Sequence, residues 1–224
     1  MTGTAKQLWF DTGLSILLLG AALFVPLPGP PAPRTVEKQA GAAADDSKPE
    51  FASIIERKLD YRDFNFRTVE GVPFNLRDYA QNKKLIIIEY FAGWCVNSNR
   101  NGHVVERLWS RYRQRGLGVV GVAEYSDASE LRIHINRIGI DYPIVVETSA
   151  RDKRKDSSHY TYRRAAGDKR KWGTPFYVII DARDMEADIS KGPIARRVYT
   201  VSGELREDEA DQFIRERIAP SNHF

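Results

Sequence analysis

The chain has 224 residues, of which 42% are hydrophobic and 29% are charged. This composition is typical of a folded globular protein, and it excludes both a wholly disordered chain and a membrane protein with many spanning helices. The single cysteine, Cys95, has no partner for an intramolecular disulfide, so no disulfide framework holds the fold. The formal net charge of +4 is mild, but residues 151–171 contain nine Lys or Arg against three Asp. We therefore expect one domain of ordinary size with a local basic segment.

The N-terminal part contains one uncharged apolar run, residues 14–25 (LSILLLGAALFV). With its apolar flanks it offers about 20 residues, about enough for a helix that crosses a bilayer. A cleaved signal peptide and a helix buried in a partner complex are the alternatives, but the run leads directly into PLPGPPAP without a small-residue cleavage site. We predict an uncleaved, single transmembrane signal anchor at residues 1–28, followed by a Pro/Ala-rich linker at residues 29–58. The flanking charges nearly balance, so they do not fix the orientation.

Apolar patterns predict alternating strands and helices in the rest of the chain. Residues 85–91 (LIIIEYF) form a buried strand, residues 104–112 repeat apolar side chains at helical spacing, and residues 118–123 form a second strand. Together they predict a βαβ unit with a right-handed crossover. Asp127 and Glu130 predict a capping box at the start of another helix.

Four more elements complete the pattern. Residues 144–146 predict a short strand, and residues 176–180 and 196–201 predict two strands that should pair antiparallel. Residues 204–218 predict an acidic amphipathic helix at the end of the domain.

The order β-α-β-α-β followed by β-β-α resembles the thioredoxin superfamily. Trp94 and Cys95 lie at a strand-to-helix junction, and residues 173–175 (GTP) open a later strand. Within the superfamily, residues 63–79 (DFNFRTVEGVPFNLRDY) before residues 83–95 (KKLIIIEYFAGWC) are similar to the hairpin and entry strand of the membrane-anchored TlpA/ResA-like thiol-disulfide oxidoreductases.

This resemblance implies an α/β, thioredoxin-like domain at residues 59–218, with a central mixed sheet flanked by helices. The domain carries a basic insertion at residues 150–172 and is followed by a short tail at residues 219–224. The resemblance also implies that the domain lies on the periplasmic, extracytoplasmic side of a bacterial cytoplasmic membrane.

Cys95 is the only residue that could support redox chemistry. A cysteine at the start of a helix faces unpaired backbone N–H groups, which favours nucleophilic attack. The family motif is Cys-x-x-Cys, whose second thiol resolves the mixed disulfide, but here WCVNS places Ser98 at that position. A hydroxyl cannot displace a disulfide sulfur at neutral pH, so turnover as a dithiol enzyme is disfavoured. Monothiol exchange, an isomerase-like role that uses the substrate's second cysteine, and an inert relic thiol all stay open.

The resemblance supplies the other candidate site residues. Glu89 corresponds to the buried acidic residue that moves protons for the resolving thiol, and a carboxylate in an apolar strand should have a raised pKa. The alternative is a strand residue that reaches solvent at the end of the sheet. The candidate catalytic residues are Cys95, Ser98 and Glu89, and the candidate substrate-binding residues are Trp94, Thr174 and Pro175. The resemblance also implies a cis bond before Pro175.

No cofactor or metal site is predicted. The histidines are dispersed, and neither a peroxidase cysteine pattern nor a glycine-rich phosphate loop is present. The aromatic and basic side chains of residues 150–172 suit a protein interface or an acidic partner, whereas a solvated, partly mobile loop is the alternative.

Three functions follow from these patterns. The first is a membrane-anchored, extracytoplasmic thioredoxin-like protein that exchanges thiols through Cys95 alone. The second is a non-catalytic accessory subunit of a larger membrane complex, which the missing resolving cysteine favours. The third is a soluble, chaperone-like binder released by signal cleavage. We expect a membrane and a protein as partners, and no nucleic acid.

Overall fold

A computed structural model describes residues 48–186 and 192–219 of the chain. The predicted anchor at residues 1–28, the linker up to residue 47 and residues 220–224 of the tail lie outside the described residues. Within the described ranges, no helix combines the length and the apolar character needed to cross a membrane.

The described residues form one mixed sheet with the strand order β1-β8-β7-β4-β5-β6-β2-β3. The strands are β1 (Ile55–Tyr61), β2 (Asn65–Thr68), β3 (Pro73–Asn75), β4 (Leu85–Phe91), β5 (Leu117–Glu124), β6 (Ile144–Thr148), β7 (Phe176–Asp181) and β8 (Ala195–Val201). In the centre, β4 pairs parallel with β5 and antiparallel with β7. The predicted antiparallel pair β7 and β8 is confirmed, as is the hairpin of β2 and β3.

Helices cover both faces of the sheet. They are α1 (Leu76–Ala80), α2 (Val96–Tyr112), α3 (Ala128–Ile138), α4 (Ser158–Ala165) and α5 (Glu207–Ile218). The capping box predicted from Asp127 and Glu130 is present at the start of α3. Helix α5 begins at Glu207 rather than at the predicted Glu204, because Glu204 is buried and forms an ion pair with Arg100.

The central position of strand β4, with a hydrophobic core on each face, explains why its sequence is a continuous apolar run. Leu85 and Ile87 belong to the core that packs against α2, α3 and α5, whereas Ile86 and Ile88 belong to the core on the opposite face. A strand with both faces covered has no solvent side, so it shows no polar alternation. Because side chains alternate along a strand, Glu89 points to the same face as Leu85 and Ile87.

The folded residues begin before the boundary expected at residue 59. Strand β1 starts at Ile55 and forms an edge of the sheet beside β8. Upstream of β1, the backbone N–H of Ala52 donates to the Glu204 carbonyl at 3.1 Å, and Phe51 forms a parallel bridge with Glu204. The end of the predicted linker is therefore part of the domain surface.

Candidate functional site

Cys95 lies where the chain leaves β4 and enters α2. It occupies the N-cap position of α2 and is half-buried, and its backbone N–H donates to the Ala92 carbonyl at 2.9 Å. Its Sγ–H donates to the backbone carbonyl of Thr174, with 3.4 Å between sulfur and oxygen. The structure therefore brings Cys95 and Thr174, which are far apart in the sequence, into direct contact.

Asn99 holds the turn that carries Cys95. Its side-chain amide nitrogen donates to the carbonyls of Gly93 and Cys95 at 2.8 and 2.9 Å. Its oxygen lies 3.1 Å from Nδ1 of His134, a buried ring that stacks on Phe91. Burial lowers the pKa of His134 to about 4, so its ring is neutral near pH 7. No pattern in the sequence singled out Asn99.

Ser98, which stands at the position of the resolving cysteine, is fully buried. Its hydroxyl accepts a long hydrogen bond of 3.4 Å from the backbone N–H of Ala92. Ser98 does not line the pocket in which Cys95 lies. Its contact stabilises the turn between β4 and α2.

The loop before β7 forms the second side of the site. The Thr174–Pro175 peptide bond is cis, as the resemblance implied, and Gly173 has a positive φ of 70°. A pocket of about 390 Å³ lies between this loop and the start of α2. Its lining residues are Glu50, Trp94, Cys95, Val96, Asn97, Arg170, Lys171, Trp172, Gly173 and Thr174.

Two tryptophans form the wall of this pocket. Trp94 donates its indole N–H to the Tyr125 carbonyl at 2.9 Å, which fixes the ring. Trp172 meets Trp94 edge to face, with 5.2 Å between the ring centroids, and lies 5.7 Å from the ring of Tyr125. The predicted substrate-binding residues Trp94 and Thr174 therefore share one pocket with Cys95.

Glu89 is fully buried, so the alternative in which it reaches solvent is wrong. Its carboxylate accepts hydrogen bonds from the hydroxyls of Tyr142 and Tyr177 at 2.9 and 3.1 Å. Burial raises the pKa of Glu89 to about 7, although the two hydroxyl contacts act in the opposite direction. Among the described residues, no hydrogen bond joins Glu89 to Cys95 or Ser98.

The basic insertion is folded, which excludes the interpretation of residues 150–172 as a solvated loop. It contains a short 3-10 helix, Arg151–Asp156, and the helix α4. Ser157 caps α4 by accepting from the backbone N–H of Tyr160, and the Glu147 carboxylate accepts from the backbone N–H of Ser158 at 2.5 Å. These contacts fix α4 against the end of β6.

His159, on α4, links two parts of the site. Its Nε2 lies 3.1 Å from the Gly173 carbonyl, which can only accept, so Nε2 carries the proton. Nδ1 then accepts from the hydroxyl of Tyr125 at 2.9 Å. Burial lowers the pKa of His159 to about 3, so the ring is neutral near pH 7. In the sequence, His159 is one of several dispersed histidines and carries no signal of this role.

Arg163, also on α4, holds the loop from the other side. This arginine is buried, and its guanidinium donates to the backbone carbonyls of Arg170 and Lys171 at 2.8 and 3.3 Å. Its side chain packs so closely on Gly173 that a Cβ there would lie 2.6 Å from Cδ of Arg163. Helix α4 therefore determines the shape of the loop that faces Cys95.

Similar solved structures come from bacterial redox proteins. A thioredoxin-family thiol:disulfide interchange protein from Chlorobium tepidum TLS has 20% identity and a TM-score of 0.53 over 73% of this chain and 98% of its own. The thioredoxin domain of a Bacteroides vulgatus thiol-disulfide oxidoreductase has 14% identity and a TM-score of 0.51, covering 72% of this chain and 96% of its own. A thiol:disulfide interchange protein from Bacteroides sp. has 13% identity and a TM-score of 0.51, covering 77% and 93%.

The chain has a thioredoxin-like fold. No protein-family model and no curated protein matches the sequence. At these identities the structural similarity establishes the fold, and it confirms the mixed sheet and flanking helices expected from the sequence. In this thioredoxin-like domain, Cys95 and the loop of Pro175 meet at one pocket.

Proposed function

We propose that this chain is a thioredoxin-like protein that exchanges disulfides through the single thiol of Cys95. The observation that carries the proposal is the contact of Cys95 Sγ with the Thr174 carbonyl, at 3.4 Å, inside an open pocket. The thiol is half-buried in the lining of this pocket, so a substrate sulfur can approach it. The solved structures with the same fold are named as thiol:disulfide interchange proteins and oxidoreductases, which supports the same chemistry here.

The proposed reaction begins with attack by the Cys95 thiolate on one sulfur of a substrate disulfide. A new bond forms between Cys95 and that sulfur, the substrate S–S bond breaks, and the other sulfur leaves as a thiolate that takes a proton from water. A different cysteine of the substrate, or an external thiol, then attacks the substrate sulfur of the mixed disulfide, a new S–S bond forms to that sulfur, and Cys95 leaves as a thiolate. Because Ser98 cannot perform this second step, the resolving thiol comes from outside the chain.

The pocket supplies the position of the substrate rather than further chemistry. The carbonyl of Thr174 faces Cys95, and the loop before Pro175 offers backbone groups to an extended substrate segment. Trp94 and Trp172 provide an apolar wall for the residues that flank the substrate sulfur. We assign no proton transfer to Glu89, because no hydrogen bond joins it to the thiol.

We also propose that the domain works on the extracytoplasmic side of a bacterial cytoplasmic membrane. Support comes from the uncharged apolar run at residues 14–25 and from the resemblance to membrane-anchored thiol-disulfide oxidoreductases. In this setting the substrate is a membrane-associated or exported protein that contains a disulfide.

A non-catalytic accessory subunit is the second candidate function. The burial of Ser98 favours it, because the residue at the resolving position stabilises a turn and does not line the pocket. In that case the pocket binds a partner segment without covalent chemistry.

The test uses the full chain in a nonionic detergent and a peptide whose cysteine is joined to a coloured aromatic thiol. Exchange at Cys95 releases one coloured thiolate per chain and leaves a mixed disulfide that mass spectrometry detects. Cys95→Ala should abolish the release, and Ser98→Ala should retain it. Ser98→Cys should also release the bound peptide, because the introduced thiol attacks the mixed disulfide and forms an intramolecular disulfide with Cys95. A Cys95 that reacts only after unfolding would exclude exchange and support the accessory-subunit function.

A further inference from the structure

The rim of the Cys95 pocket carries positive charge that the described part of the chain only partly neutralises. Arg170 forms ion pairs with Asp168 and Glu50. Two further cations form no ion pair with a described carboxylate: Lys171, which lines the pocket, and Arg154, which is not a lining residue but lies over the ring of the lining residue Trp172. The pocket therefore has a local excess of positive charge beside the nucleophile.

The aromatic wall holds these charges in place. The guanidinium of Arg154 lies over the ring of Trp172 at 4.9 Å, and Nζ of Lys171 lies 5.7 Å from the same ring. The guanidinium of Arg151, which pairs with Glu130, lies over Trp94 at 4.9 Å. Stacking on an aromatic face restricts a long side chain, so less entropy is lost when it binds an anion.

One carboxylate already lies in this pocket. Glu50, which lines it, contacts the guanidinium of Arg170 with 3.2 Å between Oε2 and Nη1. Its side chain is 45% exposed, so water can reach the contact. Arg170 also donates to the Pro175 carbonyl at 2.9 Å, which connects the carboxylate site directly to the substrate-binding loop.

We infer that the Cys95 pocket selects extended peptides in which acidic residues flank the reacting cysteine, and that Glu50 competes with them. The inference deepens the proposed exchange function and rests on it. Arg154 and Lys171 attract the acidic residues, the carboxylate of a bound peptide replaces Glu50 at Arg170, and the tryptophan wall contacts the stem of its side chain. The substrate class is thus an acidic disulfide-containing segment.

The experiment compares two short peptides that differ only in Glu or Gln on both sides of one cysteine, each joined to the coloured thiol. The rate constant of thiol release is measured with the full chain in nonionic detergent, at about 20 mM and about 500 mM salt. Two partly exposed ion pairs lead us to expect about a fivefold preference for the Glu peptide at low salt. The preference should disappear at high salt.

Substitutions test which side chains cause the preference for the Glu peptide. Replacing both Arg154 and Lys171 by Gln should remove the preference, whereas the same replacement of Lys153 and Lys155, which are exposed and lie over neither Trp94 nor Trp172, should retain it. Glu50→Gln should raise the rate for the Glu peptide by a larger factor than the rate for the Gln peptide. Equal rates for the two peptides at low salt, or equal losses in both double variants, would overturn the inference while leaving the exchange function intact.

A second readout separates recognition from chemistry. Binding of the same two peptides with S-methylated cysteine is followed by tryptophan fluorescence, to which Trp94 and Trp172 in the pocket wall contribute. Stronger binding of the S-methylated Glu peptide, together with no thiol release from the coloured peptides in the rate experiment, would support the charge selection and refute the exchange function. Equal binding of both peptides would refute the charge selection.

Discussion

Replacing Glu89 by Gln should make the protein more stable at alkaline pH. Burial raises the pKa of Glu89 from 4.5 to about 7, so the folded state binds a proton that the unfolded state releases. Between pH 4.5 and about pH 7 the free energy of unfolding therefore falls as pH rises. Above about pH 7 the contribution of Glu89 does not fall further. A difference of about 2.5 pKa units corresponds to about 3 kcal/mol in the free energy of unfolding.

The structure indicates that a glutamine fits this position. Its amide oxygen can accept from the Tyr142 hydroxyl at the position of Oε2, and its amide nitrogen can donate to the Tyr177 hydroxyl, which then donates to Asn101. The variant therefore reproduces the protonated carboxyl group without its titration. We expect Glu89→Gln to match the wild type near pH 4 and to exceed it by up to about 3 kcal/mol near pH 8.

The assay is urea unfolding of the full chain in nonionic detergent, followed by far-UV circular dichroism across this pH range. Glu70→Gln, at an exposed carboxylate in the β2–β3 turn, is the matched control and should change stability by less than about 0.5 kcal/mol at every pH. A constant difference between Glu89→Gln and the wild type from pH 4 to pH 8 would refute the reasoning. So would a variant that is less stable at pH 8.

The remaining predictions concern the contacts that hold the substrate-binding loop and the end of the linker. His159→Phe leaves the Tyr125 hydroxyl and the Gly173 carbonyl without this partner, so it should cost about 2 kcal/mol near neutral pH in the same urea assay. The pKa of His159 is lowered to about 3, so the wild type loses stability as pH falls below about 6.5. The deficit of the variant should therefore vanish near about pH 5, and a deficit that is constant with pH would contradict a buried neutral imidazole. Gly203→Ala would place a Cβ 2.2 Å from the Glu50 carbonyl oxygen and displace that segment. Glutamyl endopeptidase should then cut after Glu50 about tenfold faster, and an unchanged rate would show that the segment is not held there.

The sequence predicted the central sheet well, because its signals are local. Strand β4 is apolar on both faces, and the structure has the same bounds, Leu85–Phe91, that the pattern predicted. The capping box of Asp127 and Glu130 is another local signal, and the structure contains it at the start of α3. The edge strand β1 was missed, because its sequence, IERKLDY, is half polar and only its pairing with β8 identifies it.

The candidate site was only partly predictable. Cys95, Thr174 and Pro175 carry a recognisable pattern, but the residues that position them do so through contacts between distant segments. Helix α4 is short and polar, and its composition masked the buried faces of His159 and Arg163. The signal that could have revealed it is the Ser157 N-cap followed by His159, Tyr162 and Ala166 at helical spacing, all of which are buried.

In the loop of residues 168–171, Arg163 donates to the backbone carbonyl oxygens of Asp168, Arg170 and Lys171, and it also pairs with the carboxylate of Asp168 at 3.9 Å. Every residue type offers the same carbonyl, so the guanidinium contacts do not specify which side chains stand at Lys169 or Lys171. Gly173 and Asp168 are the exceptions, because Arg163 fills the space that a Cβ at Gly173 would need and pairs with the carboxylate of Asp168. The architecture thus separates the shape of the binding loop from its chemical character. Variation among homologues, or deliberate redesign, can reverse the charge of the rim while the backbone path beside the cysteine is preserved.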